Sequence, residues 1–210
     1  MTGPRIAAPP GRAGRLWVDR RLRAARRGAE LLDRKLHILQ AELDLRRKSA
    51  ELTRQEWEQR CTEAEQLLLR AALLGGQRAI RLAADEGTAD VHISHAVTAG
   101  VHHPAGGTCA TRQPAPWAGP ATAEARRAHQ TALEAAVAHA AAAAALRLIG
   151  AEAAVTRYRL RAIKDRWIPR LERARAEITF ALDEVERADQ ARLRRAMQGP
   201  GPGRAASPRS

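Results

Sequence analysis

Residues 18–43, VDRRLRAARRGAELLDRKLHILQAEL, carry apolar side chains at alternating steps of four and three: Val18, Leu22, Ala25, Ala29, Leu32, Leu36, Leu39 and Leu43. Such a seam runs along one side of an α-helix and has to be covered from water. Toward the other end Leu160, Ile163, Trp167, Leu171, Ala174, Ile178, Ala181, Val185 and Ala188 form a second seam. Each seam can cover the other when the chain folds back. The pattern therefore predicts an all-α protein built on a long antiparallel two-helix coiled coil of the N- and C-terminal segments.

Composition agrees with that reading. One Phe, one Tyr and four Trp in 210 residues leave little to fill a thick core, whereas abundant Ala, Leu, Arg and Glu suit long helices meeting along a narrow seam. Lys and Arg number 36 against 23 Asp and Glu, a net charge of +13. The surplus is uneven. Arg5 to Arg27 holds eight arginines and a single acid, Asp19, while residues 157–175 hold eight bases against Asp165 and Glu172. Folding back brings both stretches toward one end, which then seeks an acidic protein surface, a phosphate backbone or an anionic membrane. Cys61 and Cys109 are too few for a disulfide framework, and the N-terminus lacks the apolar core of a signal peptide. The longest apolar run, Ala140 to Leu146, falls short of the ~20 residues of a spanning helix. The expected location is the cytoplasmic side of a membrane, reached through a partner.

Along the chain, residues 1–14 with three prolines and three glycines predict a flexible lead-in. A helix over 15–74 ends at Gly75 and Gly76, and would span ~90 Å. Inside it Arg46, Thr53 and Arg60 interrupt the seam. Leu31, Ile38, Leu45 and Leu52 make a neighbouring stripe, so the buried face rotates there or meets a second partner. Residues 75–121 hold seven Gly and four Pro, which excludes a continuous helix. Val91, Ile93, His95 and Val97 alternate at strand spacing and suggest a small β-hairpin at the tip. Thr122 caps a second helix over 122–197, kinked or locally opened near 165–168 by Pro169. Residues 198–210 form a disordered basic tail. In an antiparallel pair of equal rise, facing residue numbers add to ~195–200, which brings Leu22 near Ala174 to Ile178.

Chemistry-bearing motifs are sparse. No Gly-rich loop of the form G-x-x-x-x-G-K-[ST] is present, nor an acid paired with a nucleophile, so no catalysis, bound nucleotide or cofactor is expected. His92, His95, His102, His103 and Cys109 lack a recognised zinc spacing and read either as a solvated tip or, less simply, as ligands. Gly28, costly inside a helix, serves close packing where helices cross or gives clearance to a partner's loop. Arg20, Arg21, Arg23, Arg26 and Arg27, with Arg166, Arg170 and Arg173, are the candidate contacts of the basic end. Their guanidinium groups can form shifting ion pairs with carboxylates around them, or simply coat a solvated face.

RRLRAARRGAELLDRKLHIL, Arg20 to Leu39, and RLRAIKDRWIPRLE, Arg159 to Glu172, together resemble the D subunits of the V/A-type ATPases. Leu22, Ala25, Gly28, Leu31, Leu32, Lys35 and Leu39 follow that family's N-terminal helix, and Ile168 to Glu172 repeat its I-P-R-L-E element. The resemblance covers about residues 11–74 and 122–197. The insert from Pro104 to Pro120 and the tail depart from it. It implies a central rotor shaft, itself not an enzyme, that couples ion-driven rotation of a membrane ring to ATP synthesis or hydrolysis. It further implies contact with the hexamer of catalytic A and B subunits, with the small F subunit of the stalk, and with the adaptor on the membrane ring. Nucleotide would be bound by other subunits and nucleic acid by none.

Two rivals use the same charges. A basic coiled coil could neutralise a nucleic acid, although acids such as Glu42, Glu51, Glu56, Asp183 and Glu186 interrupt its bases and no base-reading module is evident. A membrane-surface scaffold would need a basic amphipathic or concave face.

Overall fold

A computed structural model describes residues 6–83, 88–111 and 119–198. A long N-terminal helix α1 (Gly11–Ala83) leads to a hairpin of β1 (Asp90–Thr98) and β2 (Val101–Ala110). Helix α2 (Pro120–Arg161), a π-helix (Ala162–Trp167) and α3 (Ile168–Met197) complete the chain. The protein is thus largely helical, with a small antiparallel hairpin between its long terminal helices, as its heptads require. It divides into two compact units: a terminal unit, Met1–Leu32 with Arg159–Ser210, and a central unit, Asp33–Tyr158. The expected tail beyond residue 198, and residues 112–118 of the Pro-rich insert, lie outside the described residues.

In the terminal unit Val18, Leu22 and Leu171 form a buried cluster, with Trp17, Ala25, Trp167, Ile168 and Ile178 packed around it. Ile6 and Ala8 join them. The chain is therefore anchored ahead of its first helix, and α1 starts at Gly11 rather than Arg15. Gly14 permits this close entry, because a methyl there would collide with the Pro9 carbonyl oxygen. The pairing is antiparallel: Arg12 Nη2 lies 3.1 Å from Glu186 Oε1, and Arg26 Nη2 lies 2.8 Å from Glu172 Oε1.

Pro169 has no N–H and crowds the carbonyl four residues back. The helix answers with a π-turn, in which the Ile168 N–H donates to the Ile163 carbonyl. Beyond it Leu171 is fully buried and Ile178 and Leu182 are half-buried. Ala181 and Val185, placed in the seam by the three-four repeat counted on from Leu171, are instead exposed.

In the central unit α1 keeps one core position through every heptad: Leu36, Leu43, Ala50, Trp57, Ala64 and Ala71 are all buried or half-buried. The other core position turns polar after Leu39, and each polar group is satisfied. Arg46 Nε donates to Glu42 Oε1 at 2.7 Å, and Thr53 Oγ1 donates to the Ser49 carbonyl at 2.9 Å. The seam therefore does not rotate, and Ile38, Leu45 and Leu52 stay more than half exposed. From α2 come Ala128, Ala132, Val137, Ala141, Ala145, Ile149 and Ala153. Lys35 Nζ lies 2.6 Å from Glu152 Oε1 and Arg70 Nη1 lies 3.8 Å from Glu124 Oε2, so this pairing too is antiparallel. Leu39 and Ile149 are completely buried, each contributing ~1.5–3 kcal/mol by leaving water.

By length and composition the Ala-rich part of the helix over 120–197 reaches the apolarity of a membrane span, with a mean hydropathy of 1.5 in its most apolar window. Run length understated this, because His139 and a few charged residues interrupt the run without lowering the average much. A third of that window is buried within the protein.

Gly76 breaks the geometry of α1, with φ 68° and ψ 169°, yet helix resumes as far as Ala83 rather than ending at Leu74. The hairpin turns through Ala99 and Gly100, whose φ values of 50° and 81° match the positive pair of a tight two-residue loop. Ser94 pairs Gly106 and His95 pairs Pro104, leaving Ala105 as a bulge beside the proline. Gly107 lies against α2, where an added methyl would stand 2.6 Å from Val137 Cγ1.

Candidate interaction surface

With Val18, Leu22 and Ala25 turned inward, α1 directs Arg20, Arg21, Arg23, Arg26 and Arg27 outward, and all five are exposed. Arg166, Arg170 and Arg173 belong to the same terminal unit. Arg166 and Arg173 are exposed, whereas Arg170 is half-buried. Arg173 Nε donates to the Pro169 carbonyl at 3.4 Å, and the Arg21 guanidinium sits 4.8 Å above the Trp17 ring.

Ion pairing sorts these arginines into two groups. Asp19, Glu172 and Glu186 are engaged by Arg175, Arg26 and Arg12, in the first case through an Nε to Oδ1 contact of 2.9 Å. Such exposed pairs are worth only ~0.2–1 kcal/mol each. They do occupy these three acids. Arg20, Arg23, Arg27 and Arg166 form no hydrogen bond or ion pair with another described residue.

An open groove of about 520 Å³ runs beside the paired arginines, lined by Arg15, Arg26, Glu172, Arg175, Phe180 and Asp183 among others. Phe180, the protein's single phenylalanine, is 67 % exposed there. Heptad counting overlooked it, since position 180 lies outside the seam. The available signal was that one large aromatic stands among Ala176, Thr179 and Ala181.

On the hairpin, His92, His95 and His102 are exposed and Cys109 is half-buried. His103 has no exposed surface. Its Nδ1 lies 2.9 Å from the Pro104 carbonyl, which can only accept, so Nδ1–H donates and Nε2 accepts from the Thr98 hydroxyl at 3.0 Å. The ring is a buried structural brace. Among the described residues no group of three or more His, Cys, Asp or Glu side chains gathers as a metal site. The marked electrostatic perturbation lies elsewhere, on the exposed side of α1. Hydrogen bonds from Arg54 and then Gln55 hold the Glu51 carboxyl below its ordinary value, and Glu51 and Glu58 raise Arg54 in turn.

Long paired helices carrying a surplus of exposed arginines in the terminal unit are the arrangement of a helical subunit that can meet other proteins along its surface. The chain belongs to the family of ATP synthase D subunits, which it matches over residues 16–198. This makes it a stalk subunit of a rotary ATPase and part of an ATP synthase complex, in a family that is generally non-catalytic. No curated protein matches it.

Proposed function

We propose that this stalk protein is the central rotor shaft of a V/A-type enzyme, linking ion-driven rotation of the membrane ring to ATP synthesis or hydrolysis. The observation that carries the reading is the surplus of arginines in the terminal unit: Arg20, Arg23, Arg27 and Arg166 lack acidic partners among the described residues. Carboxylates of a surrounding hexamer of catalytic A and B subunits supply them. Many weak, exchangeable ion pairs suit a turning axle better than one strong lock. The remainder of the protein, including the hairpin region, engages the small F subunit and the ring adaptor on the cytoplasmic side. The shaft biases the nucleotide state of each catalytic interface, so turnover and rotation become linked equilibria while the shaft performs no bond chemistry.

Affinity purification of the full chain from its own cells, followed by mass spectrometry, tests this. Nucleotide-binding subunits and a small companion should co-purify. Replacing Arg20, Arg23 and Arg27 by Ala should weaken the association with the hexamer and flatten its salt dependence. Recovery of nucleic acid in their place, released steeply by salt, would refute the shaft reading.

A further inference from the structure

In a strongly basic chain the hairpin stands apart. Residues 90–110 contain none of the 36 Lys and Arg and a single acid, Asp90. The hairpin is therefore not built to dock through charge, and what it presents instead is backbone. Its sheet has only two strands, so each strand has one edge whose N–H and C=O groups face away from its neighbour. The tight loop fixes which groups these are. Ala99 and Gly100 are its central residues, so Thr98 and Val101 exchange both of their hydrogen bonds and the pairing alternates from there. Along β1 the backbone groups of Val97, His95, Ile93 and Val91 consequently point outward, while those of Ala96, Ser94 and His92 serve the ladder.

The two edges differ. On β2 the outward set includes Pro104, which has no N–H to offer, and the Ala105 bulge breaks the row beside it, so that edge is blunted. The nine residues of β1 contain no proline and no lysine, and among the described residues no backbone group outside the hairpin bonds to them. By the two-residue period of a strand, the side chains of the four outward residues share one face. Val91 and Val97 are 50 % and 56 % exposed, His95 is exposed, and Ile93 is half-buried opposite Gly107.

We propose that the outer edge of β1 receives an extended segment of another subunit of the ATP synthase complex as a third strand. Its four N–H and four C=O groups are matched along their whole length only by another extended backbone. Main-chain hydrogen bonds give the affinity, and Val91 and Val97 select a proline-free segment with aliphatic side chains at alternate positions. A second copy of this chain offers an edge of the same kind, but two chains of net charge +13 repel one another, which favours a different protein. The inference rests on membership of the complex and not on the shaft reading, so it survives if the subunit proves not to turn.

Residue-resolved hydrogen exchange on the full chain, alone and in the complex purified from its own cells, tests it. Alone, the amides of residues 92, 94 and 96 should be protected and those of 91, 93, 95 and 97 should exchange freely. In the complex the second set should slow by at least ~10-fold. Val91→Lys combined with Val97→Lys should leave the ladder amides of the isolated chain unchanged and abolish the added protection. His95→Pro, which removes one outward N–H and none from the ladder, should do the same. Outward amides that exchange as fast in the complex as in the isolated chain overturn the proposal. So does protection that survives these variants, which covering without strand pairing would produce. Protection already present in the isolated chain and growing with its concentration also overturns it, and assigns the edge to a second copy.

Discussion

Gly28 sits inside α1 beside the seam residue Ala29, and a glycine in a helix interior needs a reason. Close packing at a helix crossing is not that reason. A Cβ built at Gly28 meets nothing within 4 Å, and Gly28 is not among the glycines with positive φ. Gly28→Ala therefore encounters no clash and gains helix propensity, about 0.5–1 kcal/mol for an interior position. For a chain of this size a kilocalorie corresponds to roughly 2–4 °C in Tm, so the expected rise is about 1–4 °C, with a matching increase in the urea midpoint and an unchanged slope. Circular dichroism melts of the isolated chain measure it. A fall in Tm would refute the reasoning, since only an unrecognised contact could produce it. The remaining explanation for the glycine, clearance for a neighbouring protein of the complex, is read separately: Gly28→Leu should leave the isolated fold intact and slow ATP turnover of the reconstituted complex.

The opposite outcome is expected at Gly107, where the methyl of Gly107→Ala would meet Val137 Cγ1 at 2.6 Å and Ile93 Cδ1 at 3.4 Å. A loss of about 1–3 kcal/mol, with faster amide exchange in the hairpin than in α1, is predicted, and an unchanged melt would refute the contact. Ala99 adopts a φ of 50°, which an alanine side chain resists, so Ala99→Asn should slow hairpin exchange by relieving up to about 1 kcal/mol. Because the Glu51 carboxyl is held below 4.5 in the folded state, its stabilisation is present above the unfolded carboxylate value and fades as pH falls through the folded one. The small Tm gap between the wild type and Glu51→Gln should accordingly close below about pH 4. A gap that persists to pH 2 would contradict the Arg54 and Gln55 hydrogen bonds.

The N-terminal helix was readable because its apolar steps repeat over Val18 to Leu43, and burial follows those steps closely. Past Leu43 the signal faded where Arg46, Thr53 and Arg60 entered one core position. The other position continued unbroken through Ala50, Trp57, Ala64 and Ala71, but alanine contributes so little contrast that the repeat was easily passed over. β1 was visible in Val91, Ile93, His95 and Val97. β2 was not, since Pro104, Gly106 and Gly107 argue against a strand, and only the Ala105 bulge and the close approach of Val137 accommodate them. Pro169 announced a disturbance of the ladder, whereas the half-burial of Leu182 in place of Ala181 depends on helix packing that residue spacing does not encode. The basic end was legible as charge. Which arginines find acids there depended on the helix pairing itself, which sets Arg26 against Glu172 and Arg175 against Asp19.

The alanines facing one another in the central unit have a mechanical consequence. Methyl contacts draw helix axes toward the near end of the 8–10 Å range that side-chain size allows. Two parallel rods held together resist bending roughly as the square of their separation, so an alanine-lined stretch is about a third less stiff than a leucine-lined one. Ala50, Ala64 and Ala71 opposite an α2 whose buried positions run Ala128, Ala132, Ala141 and Ala145 thus form the stretch of the central unit that yields first when that pair of helices is bent.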